Sequence, residues 1–175
     1  MLSEPYRRSR LRIIHIRNCS PHIWYYIIFS YFVKLDSSVL EVEMFKTSYY
    51  RHAYEYVISM PKEKYQGIIC LSGDGITHEV VNAIKHRSDN LDIPIGVIPA
   101  GSGNGLAKNI CETSKLECNP FNCSYIICKG QTTLIDLMEI ETLSYQNMKP
   151  DHKKIYAFSA IAWGVISDID LESEK

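Results

Sequence analysis

Two short apolar runs, each followed by a glycine-rich loop and then by a helical pattern, most restrict how this chain can fold. Residues 67–71 and 93–98 are apolar segments, typical of strands buried on both faces of a sheet. Apolar residues then recur at helical spacing over 76–84, and another helix is predicted to open at 106–110. Because strands that alternate with helices form right-handed crossovers, the sequence predicts the α/β class, with a parallel sheet and flanking helices.

The same alternation begins before the first glycine loop. Over 40–44, apolar residues alternate with glutamates, which predicts a strand. Apolar residues at helical spacing over 49–60 predict a helix that Pro61 ends. After about Pro120 this alternation weakens.

The rest of the chain predicts the start of a β-rich domain. Segments 134–140 and 155–163 are typical of strands, with a polar stretch at 142–154 between them. We therefore divide the chain into three parts: an atypical basic and aromatic segment at 1–34, an α/β domain at 35–132 and the β-rich start at 133–175.

Composition restricts the class of protein. The chain has 175 residues, 46% of them apolar, and a formal net charge of −1. That apolar share excludes a disordered chain, and the near-neutral charge argues against nucleic-acid binding, which needs an excess of Lys and Arg. The six cysteines include no C-x2-C pair, so we predict reduced thiols of a cytosolic protein and no metal ligands.

The N-terminal segment is unusual. Several arginines precede an aromatic-rich apolar stretch at 23–33. This stretch is shorter than the ~20 residues of a membrane-spanning helix. An anchor at a membrane surface and a buried strand or helix both remain open for it.

Two loops after the buried strands are the best candidates for a site. Residues 72–75 (SGDG) and 99–105 (PAGSGNG) each lie between a predicted strand and a predicted helix. Both therefore leave the carboxyl ends of neighbouring parallel strands, where open α/β sheets bind ligands. Glycines allow close approach to an anion and positive φ, and helix N-termini present N–H groups, so the predicted ligand is phosphate.

Asp74 is an acid among amides that we expect to bind phosphate. Neither loop has the spacing of a Walker P-loop or a complete G-x-G-x-x-G motif, so those nucleotide sites are unsupported. Asp74 could accept a proton from an attacking hydroxyl, help to hold Mg2+, or cap the helix over 76–87. Its position alone does not decide between these roles.

Three segments resemble known kinases. Residues 72–84 (SGDGITHEVVNAI) resemble the nucleotide-binding signature of the diacylglycerol kinase catalytic-domain family, and residues 98–107 (IPAGSGNGLA) resemble its second loop. Residues 162–175 resemble the substrate-recognition segment of the sphingosine kinases, a branch of that family. The resemblance covers about 35–175 and makes 35–132 the expected nucleotide-binding catalytic domain.

The resemblance implies roles for individual residues. Asp74 matches the catalytic base that takes a proton from the primary hydroxyl of the lipid. Asp170 matches the acid that reads the polar head of sphingosine, with Asp168 one strand alternation away, and Ser72 belongs to the loop that meets the lipid. The implied ATP-binding residues are Thr47, Gly73, Gly75, Glu79, Gly101, Ser102, Gly103 and Asn104.

The resemblance also implies an activity. This is transfer of the γ-phosphoryl group of ATP, with Mg2+, to the primary hydroxyl of sphingosine or a related sphingoid base. It further implies a cytoplasmic enzyme in peripheral contact with membranes. Two alternatives remain: a diacylglycerol kinase, and an inactive product that acts as a nucleotide-binding or interaction module.

The sequence departs from the family pattern towards both ends. Residues 11–21 suit the family's first strand, but no glycine occurs before Gly67, so the first glycine loop of the family has no counterpart. Segment 133–175 is expected to be the truncated start of a β-sandwich lipid-binding domain. We therefore expect little or no kinase activity from this chain by itself.

Overall fold

The computed structural model of the protein describes residues 9–15, 40–146 and 149–161. The chain divides into two compact units, Met1–Leu134 and Ile135–Lys175. The roles given above to segments 1–34, 35–132 and 133–175 stay predictions.

The first unit is built on a parallel sheet. Its strands are β1 (Ser9–His15), β2 (Leu40–Lys46), β3 (Gly67–Ser72) and β4 (Ile95–Pro99). Its helices are α1 (His52–Ser59), α2 (Asp74–His86), α3 (Gly105–Thr113) and α4 (Pro120–Lys129). The strand order is β2-β1-β3-β4, and the neighbouring pairs are parallel. The predicted α/β class, with a parallel sheet and flanking helices, is confirmed.

Strand β1 comes from the segment that the sequence analysis places before the α/β domain. Its residue Ile13 pairs with Met44 of β2 and with Ile69 of β3, so the strand lies inside the sheet. Arginines alternate with apolar residues here in the sequence, which is a strand pattern. The first strand suggested at 11–21 is therefore present, beginning at Ser9.

The core of the first unit lies along β3. All residues of this strand are buried, and Ile68, Ile69 and Cys70 are almost fully enclosed. A strand without an exposed face needs apolar residues at every position, which explains its continuous apolar run. Val57 of α1 and Val80 of α2 belong to the same core. Burial raises the pKa of the Cys70 thiol to about 12, so this thiol stays protonated and serves as packing.

Helix α1 is held at both ends, at its start by α2 and at its end by Arg87, the residue that directly follows α2. At its N-terminus the Glu79 carboxylate accepts N–H bonds from Arg51 at 3.0 Å and Tyr54 at 3.4 Å. At its C-terminus the Arg87 guanidinium donates to the carbonyl oxygens of Val57, Ile58 and Met60. Both charges have the sign that the helix dipole favours. Because so short a helix is marginal alone, these contacts and its packing stabilise it.

Helix α4 is not predicted from the sequence. The strand–helix alternation weakens after Pro120, yet this proline is the first residue of α4. Asn119 caps the helix by accepting the N–H of Asn122 at 2.9 Å, and Gly130 ends it with a φ of 65°. An N-cap asparagine, a proline in the first turn and a glycine after the last turn are ordinary helix signals.

The second unit contains a hairpin. Strands β5 (Met138–Gln146) and β6 (Lys149–Ala157) pair antiparallel. The strands predicted at 134–140 and 155–163 overlap these only in part, and Leu134 is 99% exposed. The polar stretch 142–154 forms much of the ladder, because a strand with a solvent-facing side accepts polar residues. The predicted change to β structure after the α/β part is confirmed, with shifted strand bounds.

No helix in the part of the chain that the structure describes is long and apolar enough to cross a membrane. The aromatic stretch at 23–33 lies outside the described residues, so its role as an anchor or a buried element stays a prediction. Asp168 and Asp170 also lie outside them.

Candidate active site

The two glycine loops meet at the carboxyl edge of the sheet. Strands β3 and β4 are neighbours, with Ser72 opposite Pro99. Beyond the strands, the Ala100 N–H donates to the Ser72 carbonyl at 3.1 Å, and the Asp74 N–H donates to the Gly103 carbonyl at 3.0 Å. The loops that the sequence assigns to one ligand are therefore joined by backbone hydrogen bonds into one surface.

Gly73 and Gly101 allow the two loops to touch. A β-carbon added to Gly101 would lie 2.5 Å from the Gly73 Cα, and one added to Gly73 would lie 2.7 Å from the Gly103 carbonyl oxygen. The positive φ predicted for the loop glycines is absent; among the described glycines only Gly130 has it. These two glycines therefore serve close backbone packing rather than an unusual conformation.

Gly75 and Gly103 instead leave open space. A β-carbon on Gly75 would meet no atom within 4 Å, and one on Gly103 would meet only Asp74 Oδ2, at 3.6 Å. Within the described residues, the N–H groups of Ser102 and Gly103 also have no protein acceptor. Open space beside available N–H donors suits a phosphate group, so these residues fit the predicted ligand.

Asp74 caps a helix other than its own. It is the first residue of α2, whose N-cap is Gly73, so the structure does not show the cap considered for the helix over 76–87. Its carboxylate accepts the N–H of Gly105 at 2.6 Å and that of Leu106 at 3.3 Å, at the start of α3. Two amides thus fix the direction of the carboxylate, and its remaining lone pairs can accept a further hydrogen bond.

Side chains also fix the backbone of both loops. Asn104 Nδ2 donates to the Gly101 carbonyl at 2.6 Å, and Asn104 Oδ1 accepts the Gly101 N–H at 3.2 Å. The hydroxyls of Ser72 and Thr77 donate to the Gly73 carbonyl at 2.9 Å and 3.2 Å. Ser72 is 4% exposed, so its hydroxyl holds the loop here, and its contact with a lipid stays a prediction. Sequence reasoning missed Thr77, although a hydroxyl four residues after a loop glycine is a usable signal.

Thr47 and Glu79 lie at the start of α1, apart from the glycine loops. Thr47 follows β2 directly and is 2% exposed. Glu79 reaches the same helix end through its bonds to the N–H groups of Arg51 and Tyr54. Because β1 separates β2 from β3, the ends of these two strands are two strand spacings apart, ~10 Å. The predicted ATP-binding residues therefore share one edge of the sheet but form two groups.

The position of Asp74 is also compatible with the predicted Mg2+. It places one carboxylate against the joined loops, next to the space at Gly103. In phosphoryl-transfer sites magnesium is commonly held by one or two carboxylates together with substrate phosphates. The residues at the loops therefore fit an ion shared between Asp74 and a nucleotide.

Comparison with known proteins decides the family. The diacylglycerol kinase catalytic domain matches residues 30–140. The chain belongs to this family of lipid kinases. The resemblance found in the two glycine loops is thereby confirmed.

Sphingosine kinases are among the relatives of this family member. Sphingosine kinase 2 of Arabidopsis thaliana is 40% identical over 143 residues, which cover 80% of this chain and 28% of that protein. Sphingosine kinase 2 of Homo sapiens is 31% identical over 151 residues, which cover 81% of this chain and 22% of that protein. The chain thus spans about a quarter of the length of these relatives.

A solved structure supports the fold. The crystal structure of a diacylglycerol kinase from Bacillus anthracis str. Sterne matches with a TM-score of 0.56 at 12% sequence identity. The match covers 85% of this chain and 62% of that one. At this identity the likeness concerns the fold alone.

Proposed function

We propose that the chain is the nucleotide-binding and catalytic part of an ATP-dependent lipid kinase that phosphorylates a sphingoid base. The observation that carries the proposal is the Asp74 carboxylate, fixed beside open space at Gly103. Membership of the diacylglycerol kinase family supports a kinase, and similarity to sphingosine kinases supports the sphingoid substrate. Because the chain spans about a quarter of these relatives, the activity of the whole protein is part of the proposal.

The joined loops bind the phosphates of ATP. The N–H groups of Ser102 and Gly103 supply donors, and the start of α3 adds partial positive charge. Gly75 and Gly103 leave the room that side chains would otherwise fill. Magnesium, when bound, would neutralise phosphate charge beside Asp74. Glu79 holds the start of α1 along the same edge of the sheet, and Thr47 is buried in the segment before that helix.

Asp74 acts as the base of the reaction. Its carboxylate takes the proton of the lipid's primary hydroxyl while that oxygen bonds to the γ-phosphorus and the bond from phosphorus to the ADP oxygen breaks. The N–H groups of Gly105 and Leu106 hold the carboxylate in one direction, so little reorganisation accompanies the proton transfer. Phosphoryl transfer depends mainly on positioning and charge neutralisation, which suits two loops fixed to each other.

The sphingoid base is distinguished by its ammonium group. A carboxylate provides both a counter-charge and hydrogen-bond acceptors for an ammonium and its neighbouring hydroxyl, whereas diacylglycerol has no amine. We assign this recognition to Asp170, with Asp168 beside it and Ser72 in the loop that meets the lipid. Because the substrate is a membrane lipid, we further propose a cytoplasmic protein in peripheral contact with membranes.

A panel of lipids tests the proposal. The longest natural form of the protein that contains this sequence is given ATP labelled at the γ-phosphate, with sphingosine, diacylglycerol or ceramide in mixed micelles. We expect label on sphingosine. Label on diacylglycerol alone would favour the diacylglycerol kinase that the family name suggests. ATP binding without transfer to any lipid would favour the nucleotide-binding module.

A further inference from the structure

Three cysteines converge at the end of α3 opposite the glycine loop. Cys111 lies near the end of α3, Cys118 in the connection that follows, and Cys123 in α4. Their Sγ atoms all lie within 4.8 Å of one another, and those of Cys111 and Cys123 are 3.4 Å apart. Cys111 and Cys123 are buried, and Cys118 is half-buried. Because the sequence contains no C-x2-C pair, this cluster is not predicted from the sequence.

The distances between the sulfur atoms match those of a metal-ligand set. Thiolates bound at about 2.3 Å around one zinc ion stand about 3.8 Å apart, which falls between 3.4 Å and 4.8 Å. Among the described residues the cluster contains thiols alone, with neither histidine nor carboxylate. Soft sulfur donors without harder ligands select soft ions such as Cu+ and Zn2+.

A disulfide or a redox-sensing thiol fits the geometry of the cluster less well than a metal site. The Cys111 and Cys123 sulfurs are 3.4 Å apart and both cysteines are free, whereas a disulfide needs about 2.05 Å. Redox-sensing cysteines are accessible thiolates of low pKa. Cys111 and Cys123 are instead buried.

We propose that Cys111, Cys118 and Cys123 together bind one thiophilic d10 cation, Cu+ or Zn2+, as three thiolates. Each thiol loses its proton as its sulfur–metal bond forms, and no oxidation state changes. The half-buried side at Cys118 admits the ion, and leaves a fourth position that water would fill on Zn2+. The Lys108 ammonium lies near Cys118 and would offset part of the thiolate charge.

A bound ion would join the end of α3 to α4. Because α3 begins at the glycine loop, an ion at its other end would stabilise the helix that carries this loop. An ion that binds only the folded chain raises its thermal unfolding midpoint by mass action. Metal binding and thermal unfolding can both be measured without any lipid substrate, so this proposal is tested independently of the kinase activity.

The test uses the whole chain, reduced and kept free of oxygen. Cu+ and Zn2+ are each titrated in competition with a chelator of known affinity, and Cd2+ reports thiolate binding through its ultraviolet charge-transfer band. We expect one ion per chain and a higher thermal unfolding midpoint with the ion. Cys118→Ser should weaken binding by more than about 100-fold, because even changes outside the ligand set cost about 10–100-fold.

The exposed Cys128 of α4 provides the matched control. Cys128→Ser should bind the ion as the unchanged chain does, and circular dichroism of Cys118→Ser without metal should show an unchanged fold. A second measurement needs no variant: the ion should protect Cys118, but not Cys128, from alkylation. No binding by the unchanged chain, equal binding by Cys118→Ser, or equal protection of Cys128 would each overturn the proposal.

Discussion

Helices α1 and α3 begin at the same edge of the sheet, and in both a carboxylate of α2 accepts N–H bonds at the helix start. Glu79 does this for α1 and Asp74 for α3. The turn before α1 has no glycine, and its N-cap Arg51 has a left-handed φ of 65°. The turn before α3 holds Gly101 and Gly103, with open space beside Asp74. An acid on α2 accepts N–H bonds from the helix start in both places, and the glycine turn also leaves open space next to Asp74.

The two helices also differ at their C-termini. The end of α1 is held by Arg87, which directly follows α2, whereas α3 ends through backbone bonds of its own segment. The Ser114 N–H donates to the Ile110 carbonyl at 3.1 Å, and the Leu116 N–H donates to the Cys111 carbonyl at 2.9 Å. Substitutions of Glu79 or Arg87, which hold α1, should therefore change the stability of the fold. A substitution of Asp74, which holds the start of α3, should mainly change the activity.

The largest expected effect is a difference in turnover between substitutions of Asp74 and of Glu79. Asp74→Asn keeps an acceptor for the Gly105 N–H but removes the base, so turnover should fall by about two to four orders of magnitude with ATP binding retained. Glu79→Gln keeps an acceptor for the start of α1 and should change turnover little. Phosphoryl transfer to sphingosine and equilibrium binding of ATP, measured on both variants, check this.

The exposed Asp92 in the segment before β4 provides the control, because Asp92→Asn removes a charge away from both acids. Equal losses of turnover in Asp74→Asn and Glu79→Gln would mean that Asp74 holds the start of α3 and is not a base. Asp74→Ala sharpens the comparison, because it also removes the acceptor for α3. It should unfold more easily than Asp74→Asn by about 0.5–2 kcal/mol, the usual value of a helix cap.

The second effect concerns the contact between the two loops. Gly101→Ala would place a methyl group 2.5 Å from the Gly73 Cα, backbone against backbone. We expect the free energy of unfolding to fall by more than about 3 kcal/mol. Gly103→Ala meets only an Asp74 oxygen, so the fold should hold while ATP binding weakens. Urea unfolding and ATP titration check both variants, and ATP binding unchanged in Gly103→Ala would contradict the phosphate site.

The sequence predicts the sheet better than the helices and strands after it. Strand β3 is buried along its whole length and β4 is buried at Val97 and Ile98, so their apolar runs leave few alternatives to a strand. The first helix pattern, over 49–60, includes Tyr49, but α1 begins at His52 because Arg51 takes a left-handed φ. Helix α4 has exposed apolar side chains, Phe121 and Tyr125, that blur its periodicity. Its capping residues, rather than its hydrophobic pattern, would have identified it.

The candidate site is predicted in part. Strand order and the rule for parallel sheets bring both glycine loops to one edge, which the structure bears out geometrically. The bond from the Gly105 N–H to Asp74 spans 31 residues in sequence, and it depends on the register of β3 against β4. No local pattern encodes such a contact. The same holds for Cys111 and Cys123, which face each other only once α4 is in place.

The third prediction concerns the bonds from Arg87 to the last turn of α1. Arg87→Met keeps an apolar stem but leaves the carbonyl oxygens of the last α1 turn without this donor. Hydrogen bonds from a charged group contribute about 1.5–3 kcal/mol, so the free energy of unfolding should fall by about 2 kcal/mol. Arg87 follows a 13-residue helix that starts at Asp74, about 20 Å away, so ATP affinity should hold.

Lys85→Met changes an exposed side chain on the same helix and is the matched control for Arg87→Met. It should alter the free energy of unfolding by less than about 0.5 kcal/mol. Chemical unfolding and ATP titration of the two variants measure both quantities. A loss of ATP affinity as large as the loss of stability in Arg87→Met would contradict this prediction. It would mean that the contact at the end of α1 and the ATP site near Asp74 are coupled.

The smallest expected effect is a pH dependence on the α1 side. The hydrogen bond from Arg87 lowers the pKa of Asp89, and its charge adds to the shift. A carboxyl group with a lowered pKa in the folded state stabilises the fold above its unfolded pKa of about 3.9. That contribution is lost as the pH falls through the lower folded value. The effect is small because Asp89 is exposed, so salt and solvent screen the pair.

Asp89→Asn isolates this contribution, because it removes the titrating group and leaves Arg87 bonded to α1. At neutral pH the variant should be slightly less stable than the unchanged chain, and the difference should shrink as the pH falls below about 4. Urea unfolding at low salt across this range measures it, with Asp92→Asn as the control. If Asp89→Asn and the unchanged chain lost stability equally as the pH fell, Arg87 would hold α1 without help from Asp89. In that case a single charged side chain would hold the end of α1, as the Glu79 carboxylate alone holds its start.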